Sequence, residues 1–330
     1  MSNSLVDRFG RVHTDLRVSL TDRCNLRCTY CMPAEGLNWL PRAEVLSDDE
    51  VVRLVRIATE RLGITSVRLT GGEPLLRRGL PQLIARMAEL QRAPELSLTT
   101  NGIGLGRLAG ALRAAGLDRV NVSLDTLDPE RFAAITRRDR LPDVLDGLRA
   151  ARAAGLTPVK VNAVPVRGTN DDEIPDLAAF AVAHGYRMRF IESMPLDAQG
   201  AWDRERMVTA AEILDRLGAR FGLTPVERRG NAPAEEWRID GTDATVGVIA
   251  SVTRPFCGSC DRVRLTADGQ LRNCLFATDE SDLRALLRGG ADDAAIEAAW
   301  RGSVRGKGPG HAIDSPEFRR PERPMSAIGG

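Results

Sequence analysis

The residues of this 330-residue chain that could do unusual chemistry are its six cysteines, which fall into two trios with none left over. Cys24, Cys28 and Cys31 form a C-x3-C-x2-C run. Cys257 and Cys260 form C-x2-C, and Cys274 follows after thirteen intervening residues. Three closely spaced thiolates make a soft-metal site with one coordination position that cysteine does not fill. A structural zinc site is closed by a fourth protein ligand, and His13 is the only histidine near the first trio. Iron with an open position could instead bind a substrate or cofactor directly. Disulfide pairing is the competing use of these thiols, and it needs an oxidising compartment. The opening residues, MSNSLVDRFG, lack the apolar core of an export signal. The chain is therefore expected to be cytoplasmic, with reduced, metal-binding cysteines.

Composition removes other classes of function. Basic residues number 46 and acidic residues 45, for a net charge of +1, so no global field attracts nucleic acid or an acidic membrane. No apolar run approaches the roughly 20 residues that cross a bilayer. Only two of the basic residues are lysines, Lys160 and Lys307. A lysine inside the apolar segment PVKVNAV is thus a pointed feature.

These groups need a frame to position them. Six β-like segments recur at 15–20, 66–70, 95–100, 119–124, 158–164 and 187–192. Amphipathic stretches at 48–63, 80–91 and 141–155 lie between them, and Ser47 with Glu50 reads as a capping box. Strand and helix in alternation imply a parallel sheet. Each strand splits into two faces: Leu16, Val18 and Leu20 against Arg17 and Ser19, and Val159 and Val161 against Lys160 and Asn162. Helices must cover the apolar face, so the polar residues point into the concave side. A closed eight-stranded barrel is filled with bulky apolar layers; this pattern implies an open partial (βα)6 TIM-type barrel around a polar ligand. An antiparallel sheet with its polar face in water is the competing arrangement, against which the intervening helices count. Residues 1–214 are assigned to the barrel and 215–330 to a smaller C-terminal, cluster-binding region. Strands are expected there at 245–252 and in a hairpin around Asp268-Gly269. The last thirty residues, rich in Gly, Pro and Arg, read as a flexible extended tail ending in Gly329-Gly330.

The first trio follows strand one directly, and Thr70-Gly71-Gly72-Glu73-Pro74 ends strand two. C-x3-C-x2-C with an aromatic residue, Tyr30, before the last Cys, and GGEP after the next strand, resembles the radical S-adenosylmethionine enzymes. Within that superfamily, the opening DLRVSLTDRCNLRCTYCMP, RLTGGEPLLR, LTTNG, RVNVSLD, KVNAV, the FCGSCDRVRLTADG segment and the final Gly-Gly resemble the GTP 3′,8-cyclase family over essentially the whole chain. The resemblance implies a lyase that cyclises GTP in the first step of molybdenum cofactor biosynthesis. It implies two [4Fe-4S] clusters, on Cys24, Cys28 and Cys31 and on Cys257, Cys260 and Cys274, with S-adenosylmethionine on the first.

By the same resemblance, Tyr30, Gly72, Ser123 and Met194 contact S-adenosylmethionine, and Arg17, Arg68, Thr99 and Lys160 contact GTP. Arg262 and Arg264 are implied to bind the guanine end and act in the reaction, and Gly329 and Gly330 to reach the active site. The expected partners are GTP, an electron donor and the downstream cyclic pyranopterin monophosphate synthase, with the chain a monomer or homodimer. Independently of the resemblance, Arg17, Arg68, Thr99 and Lys160 share the inward face, and three fixed cations suit a triphosphate. A peptide-modifying radical enzyme and an iron–sulfur sensor remain as alternatives. Asp125 and Glu192 could orient ligands or cap turns, and His13, His184 and His311 read as structural or surface residues.

Overall fold

The computed structural model describes residues 4–227, 230–316 and 318–329. Alternation along the strands decides the architecture. The six segments pair side by side in sequence order, all parallel, as β1 (Asp15–Ser19), β2 (Ser66–Thr70), β3 (Glu95–Thr100), β4 (Arg119–Ser123), β5 (Lys160–Ala163) and β6 (Arg187–Ile191). Helices α1 (Asp48–Arg61), α2 (Leu80–Ala88), α3 (Leu105–Ala114), α4 (Pro129–Thr136), α5 (Leu141–Ala153) and α6 (Ile174–His184) fill the crossovers. The capping box opening α1 forms: Ser47 Oγ accepts from the Glu50 amide, and Glu50 Oε2 accepts from the Ser47 amide. Leu16, Val18, Val67, Leu69, Leu98, Val120, Val122 and Val161 lie buried in one core with Val51, Leu54, Leu83, Leu112 and Leu148 of the helices. Each such side chain contributes about 1.5–3 kcal/mol. A one-residue register slip would exchange that row with the arginines opposite.

The C-terminal strands do not form a separate sheet. They are β7 (Leu223–Pro225), β8 (Glu235–Ile239), β9 (Thr245–Ile249), β10 (Arg262–Leu265), β11 (Gln270–Arg272) and β12 (Ser281–Asp282). Their order in the single large sheet is β12-β11-β10-β1-β2-β3-β4-β5-β6-β9-β8-β7. β9 is parallel to β6 and β10 is parallel to β1. Six parallel strands therefore become eight among the described residues, because the open edges at β1 and β6 carry backbone groups that need partners. The barrel stays open: β9 and β10 pair outward with antiparallel β8 and β11, not with each other. The hairpin expected around Asp268-Gly269 is β10–β11.

Three further helices, α7 (Ala210–Gly218), α8 (Leu283–Arg288) and α9 (Asp293–Arg305), cover these additions. Arg56 of α1 pairs with Asp293 of α9 at 2.6 Å. The expected flexible tail is corrected by the structure over residues 318–329. Residues Met325–Ile328 form a short turn of helix, α10, with Ser326 and Ile328 buried. Ile328 packs with Leu196 and Phe276, and Arg323 pairs with Asp268 at 2.8 Å and Glu280 at 2.9 Å. Composition hid this anchor because its apolar residues, Met325 and Ile328 among them, are scattered through a Gly/Pro/Arg-rich stretch. No helix among the described residues is long and apolar enough to cross a membrane.

Candidate active site

The concave face encloses a cavity of about 360 Å³ whose wall includes all six cysteines. Topology separates the two trios. Cys24, Cys28 and Cys31 follow β1, at the C-terminal mouth of the parallel strands. Cys257 and Cys260 precede β10, which runs parallel to β1, and Cys274 follows the antiparallel β11. The second trio thus lies toward the opposite end of the same strands. Between the trios, β10, β1 and β2 place Arg262, Arg264, Arg17 and Arg68 on the cavity wall, with Arg264, Arg17 and Arg68 in register.

At the first trio, Cys24 Sγ accepts from the Leu26 amide at 3.4 Å and from Asn101 Nδ2 at 3.8 Å. Burial pushes all three thiols up, Cys31 to about 12, and the Asp125, Glu73 and Asp197 carboxylates push the same way. Tyr30 donates its hydroxyl to Asp125 Oδ2 at 2.6 Å, while the Val164 amide donates to Oδ1 at 2.8 Å. Asp125 therefore orients the tyrosine. Gly72 serves the structure, since its amide donates to the Thr21 carbonyl at 2.7 Å. A Cβ there would stand 2.3 Å from the Arg23 carbonyl oxygen, so the GGEP turn docks the cysteine loop. Glu73 is buried and accepts from Thr100 Oγ1 and the Leu75 and Asn101 amides, and burial pushes it up to about 7. Ser123 and Met194 join Tyr30 and Gly72 on the cavity wall.

At the second trio the surroundings are cationic. Arg262 stacks on Phe256 at 4.3 Å. Burial raises Cys257 and Cys274. It also acts to raise Cys260, but Arg262 and Lys307 outweigh it and hold that thiol down at about 7. Burial lowers Arg17 to about 9 and Arg68 to about 10, and puts Arg264 well below its ordinary range. Arg17 Nε and Arg262 Nε and Nη2 are buried without a hydrogen-bond partner. Such unpartnered donors are costly, and an anion in the cavity would satisfy them.

All six thiols are free. Among the described residues no three His, Cys, Asp or Glu side chains converge on a single ion-sized point. A cubane is held through separate iron corners, so its thiolates stand apart. The donor sets of both trios fit that group.

Thr99 lines the cavity, whereas on β5 the wall is formed by Asn162 and not Lys160. Lys160 stays on the inward face, opposite Asn121, and is lowered to about 7 by burial and then by Arg189, Arg119 and Arg68. Gly329 is buried against the site: its carbonyl accepts from Arg264. At its φ of +86° a Cβ would meet Thr70 Oγ1 at 2.5 Å. Gly330 lies outside the described residues. Glu192 is fully used as a cap, accepting from the Ala210, Val252 and Thr253 amides. Asn162 lies on the wall, as its place on the inward face of its strand implies, whereas sequence reasoning missed Arg189 and His311 there. Alternation along β6, with Arg187 and Arg189 against Met188 and Phe190, was the available signal for Arg189. His311 sits on a loop with no periodicity to place it.

Comparison with known proteins agrees with this geometry. The model of the radical SAM superfamily matches residues 18–181, and that of Molybdenum Cofactor Synthesis C matches 186–313. The chain is 65% identical over 328 residues to GTP 3′,8-cyclase of Streptomyces coelicolor, covering 99% of this chain and 96% of that protein. It is 61% identical to GTP 3′,8-cyclase of Mycolicibacterium smegmatis, covering 99% and 92%. In fold it resembles Streptococcus suis SuiB bound to S-adenosylmethionine, with TM-score 0.60 at 15% identity over 90% of this chain and 69% of that one.

Proposed function

This chain belongs to the GTP 3′,8-cyclase family of radical S-adenosylmethionine enzymes, and from that premise we propose that it cyclises GTP between two iron–sulfur centres in one cavity. The reaction is the first step of molybdenum cofactor biosynthesis. One observation carries the reading: two cysteine trios toward opposite ends of β1 and β10 share a cavity, and a band of arginines with unpartnered donors lies between them. When bound on Cys24, Cys28 and Cys31, the first centre with S-adenosylmethionine would supply one-electron, hydrogen-abstracting chemistry at the ribose of GTP, with the electrons coming from an external reductant.

The chain's own residues solve an orientation problem. Arg17, Arg68 and Thr99 face the triphosphate, Lys160 adds its charge from the same inward face, and bidentate arginine forks fix the direction. Tyr30, held by Asp125, and Gly72, Ser123 and Met194 line the S-adenosylmethionine end. Arg262 and Arg264 hold the base toward the second trio. Gly329 closes the cavity against Arg264, with residues 215–330 as the region that carries the second centre. The product passes to cyclic pyranopterin monophosphate synthase.

Anaerobic incubation of reconstituted protein with a reductant, S-adenosylmethionine and GTP tests this reading. It should yield 5′-deoxyadenosine together with a cyclised guanosine nucleotide. Cofactor cleavage with GTP untouched points to a peptide substrate, and no cleavage points to a sensor.

A further inference from the structure

Lys307, the second of the two lysines, is 3% exposed. Its ammonium donates to the Arg262 carbonyl at 2.8 Å and lies 3.6 Å from Cys260 Sγ, 3.4 Å from the Cys260 carbonyl and 3.4 Å from His13 Nδ1. A buried charge needs a counter-charge. Asp7, on the far side of His13, is already engaged by Arg11 at 2.5 Å and by His13 Nε2 at 3.1 Å. Among the described residues, no carboxylate pairs with Lys307. The groups whose ionised forms favour its charge are the thiols of Cys260 and Cys274.

The network is anchored at both ends. Arg11 also reaches the Cys257 carbonyl at 2.8 Å and the Gly308 carbonyl at 2.6 Å. An N-terminal hairpin (5–6 paired with 12–13) thereby clamps the loop that holds Lys307 against the second trio. No comparable buried ammonium faces the first trio among the described residues.

We propose that Lys307 is the counter-charge and hydrogen-bond donor of the iron–sulfur centre on Cys257, Cys260 and Cys274, a positioning residue that ties Cys260 to Arg262 and raises that centre's reduction potential. The inference rests on the two-centre reading above. Hydrogen bonds to cluster sulfurs and local net charge are two of the levers that set such potentials. A fixed ammonium favours the form that has gained an electron, and burial keeps solvent from screening it.

With only two lysines in the chain, [ζ-15N]lysine labelling makes a direct probe. Pulsed EPR of the reduced, fully loaded wild-type protein should show a 15N coupling on the second centre, and Lys307→Arg should abolish it. In EPR-monitored redox titration, Lys307→Met should move the second midpoint to a more negative potential and leave the first unchanged, while Lys307→Arg restores most of the shift. Iron analysis showing one centre in the wild type would remove the two-centre reading and this inference with it. Two centres without a 15N coupling would overturn the role of Lys307 alone, as would an unchanged midpoint in a fully loaded Lys307→Met protein. The wild-type measurement decides the matter even where Lys307→Met fails to load iron.

Discussion

Around the first cysteine trio the charged groups include the carboxylates of Glu73, Asp125 and Asp197; around the second they are Arg11, Arg262 and Lys307. Each trio offers the same donor set, three cysteine thiols. Carboxylates disfavour an added electron nearby and cations favour it. The first site is therefore suited to giving up an electron, and the second to holding electron-rich or anionic groups against arginine. Identical ligand chemistry acquires two roles from its neighbours.

The sharpest break in this comparison comes from the cysteines themselves. Cys28→Ala should abolish 5′-deoxyadenosine formation. Cys274→Ala should retain it and lose the cyclised nucleotide, both read by chromatography of quenched reactions. Cyclisation by Cys274→Ala would mean that the second trio is dispensable. Arg264→Ala comes next. Losing a charge-assisted contact of about 1.5–3 kcal/mol should cut nucleotide conversion by roughly ten- to a hundredfold, with S-adenosylmethionine cleavage persisting. Deleting Gly329 and Gly330 should act in the same direction without loss of iron, because Gly329 is the partner of Arg264.

A smaller effect concerns pH at Lys160, whose ammonium is lowered to about 7. GTP binding should be accompanied by proton uptake near neutral pH and weaken as pH rises through that value. Calorimetry in buffers of different ionisation enthalpy reads the proton. In the unfolded chain lysine keeps its proton to about 10.4, so between these values the unfolded state binds more protons and stability rises with pH. Lys160→Met should flatten that rise in a thermal-midpoint series, and an unaltered slope would assign it to other groups. The mildest change is Tyr30→Phe, which removes the bond to Asp125. A loss of about 1 kcal/mol should raise KM for S-adenosylmethionine about fivefold and leave KM for GTP in place.

Much of the fold could be read from alternation, because a strand's two faces follow directly from residue order. Arg17, Arg68 and Thr99 were placed inward correctly on that basis. Local spacing also marks the start of α7, where Thr209 and Glu212 form a capping box. The destination of the C-terminal strands was not legible. Whether a strand joins a distant sheet edge depends on which edges remain unpaired, a property of the assembled sheet. For the same reason composition gives no sign of the α10 anchor or of the Arg323 pairings to Asp268 and Glu280.

Residue types and spacing alone determined the two thiolate sets, the inward cations and the parallel order of the first six strands, since each depends on neighbours close in the chain. Tertiary structure decided that β10 lies beside β1. That pairing brings the trios, some 230 positions apart in the chain, onto one cavity. It also sets Lys307 against Cys260 and Gly329 against Arg264, contacts made only once burial and unpaired strand edges have drawn distant segments together.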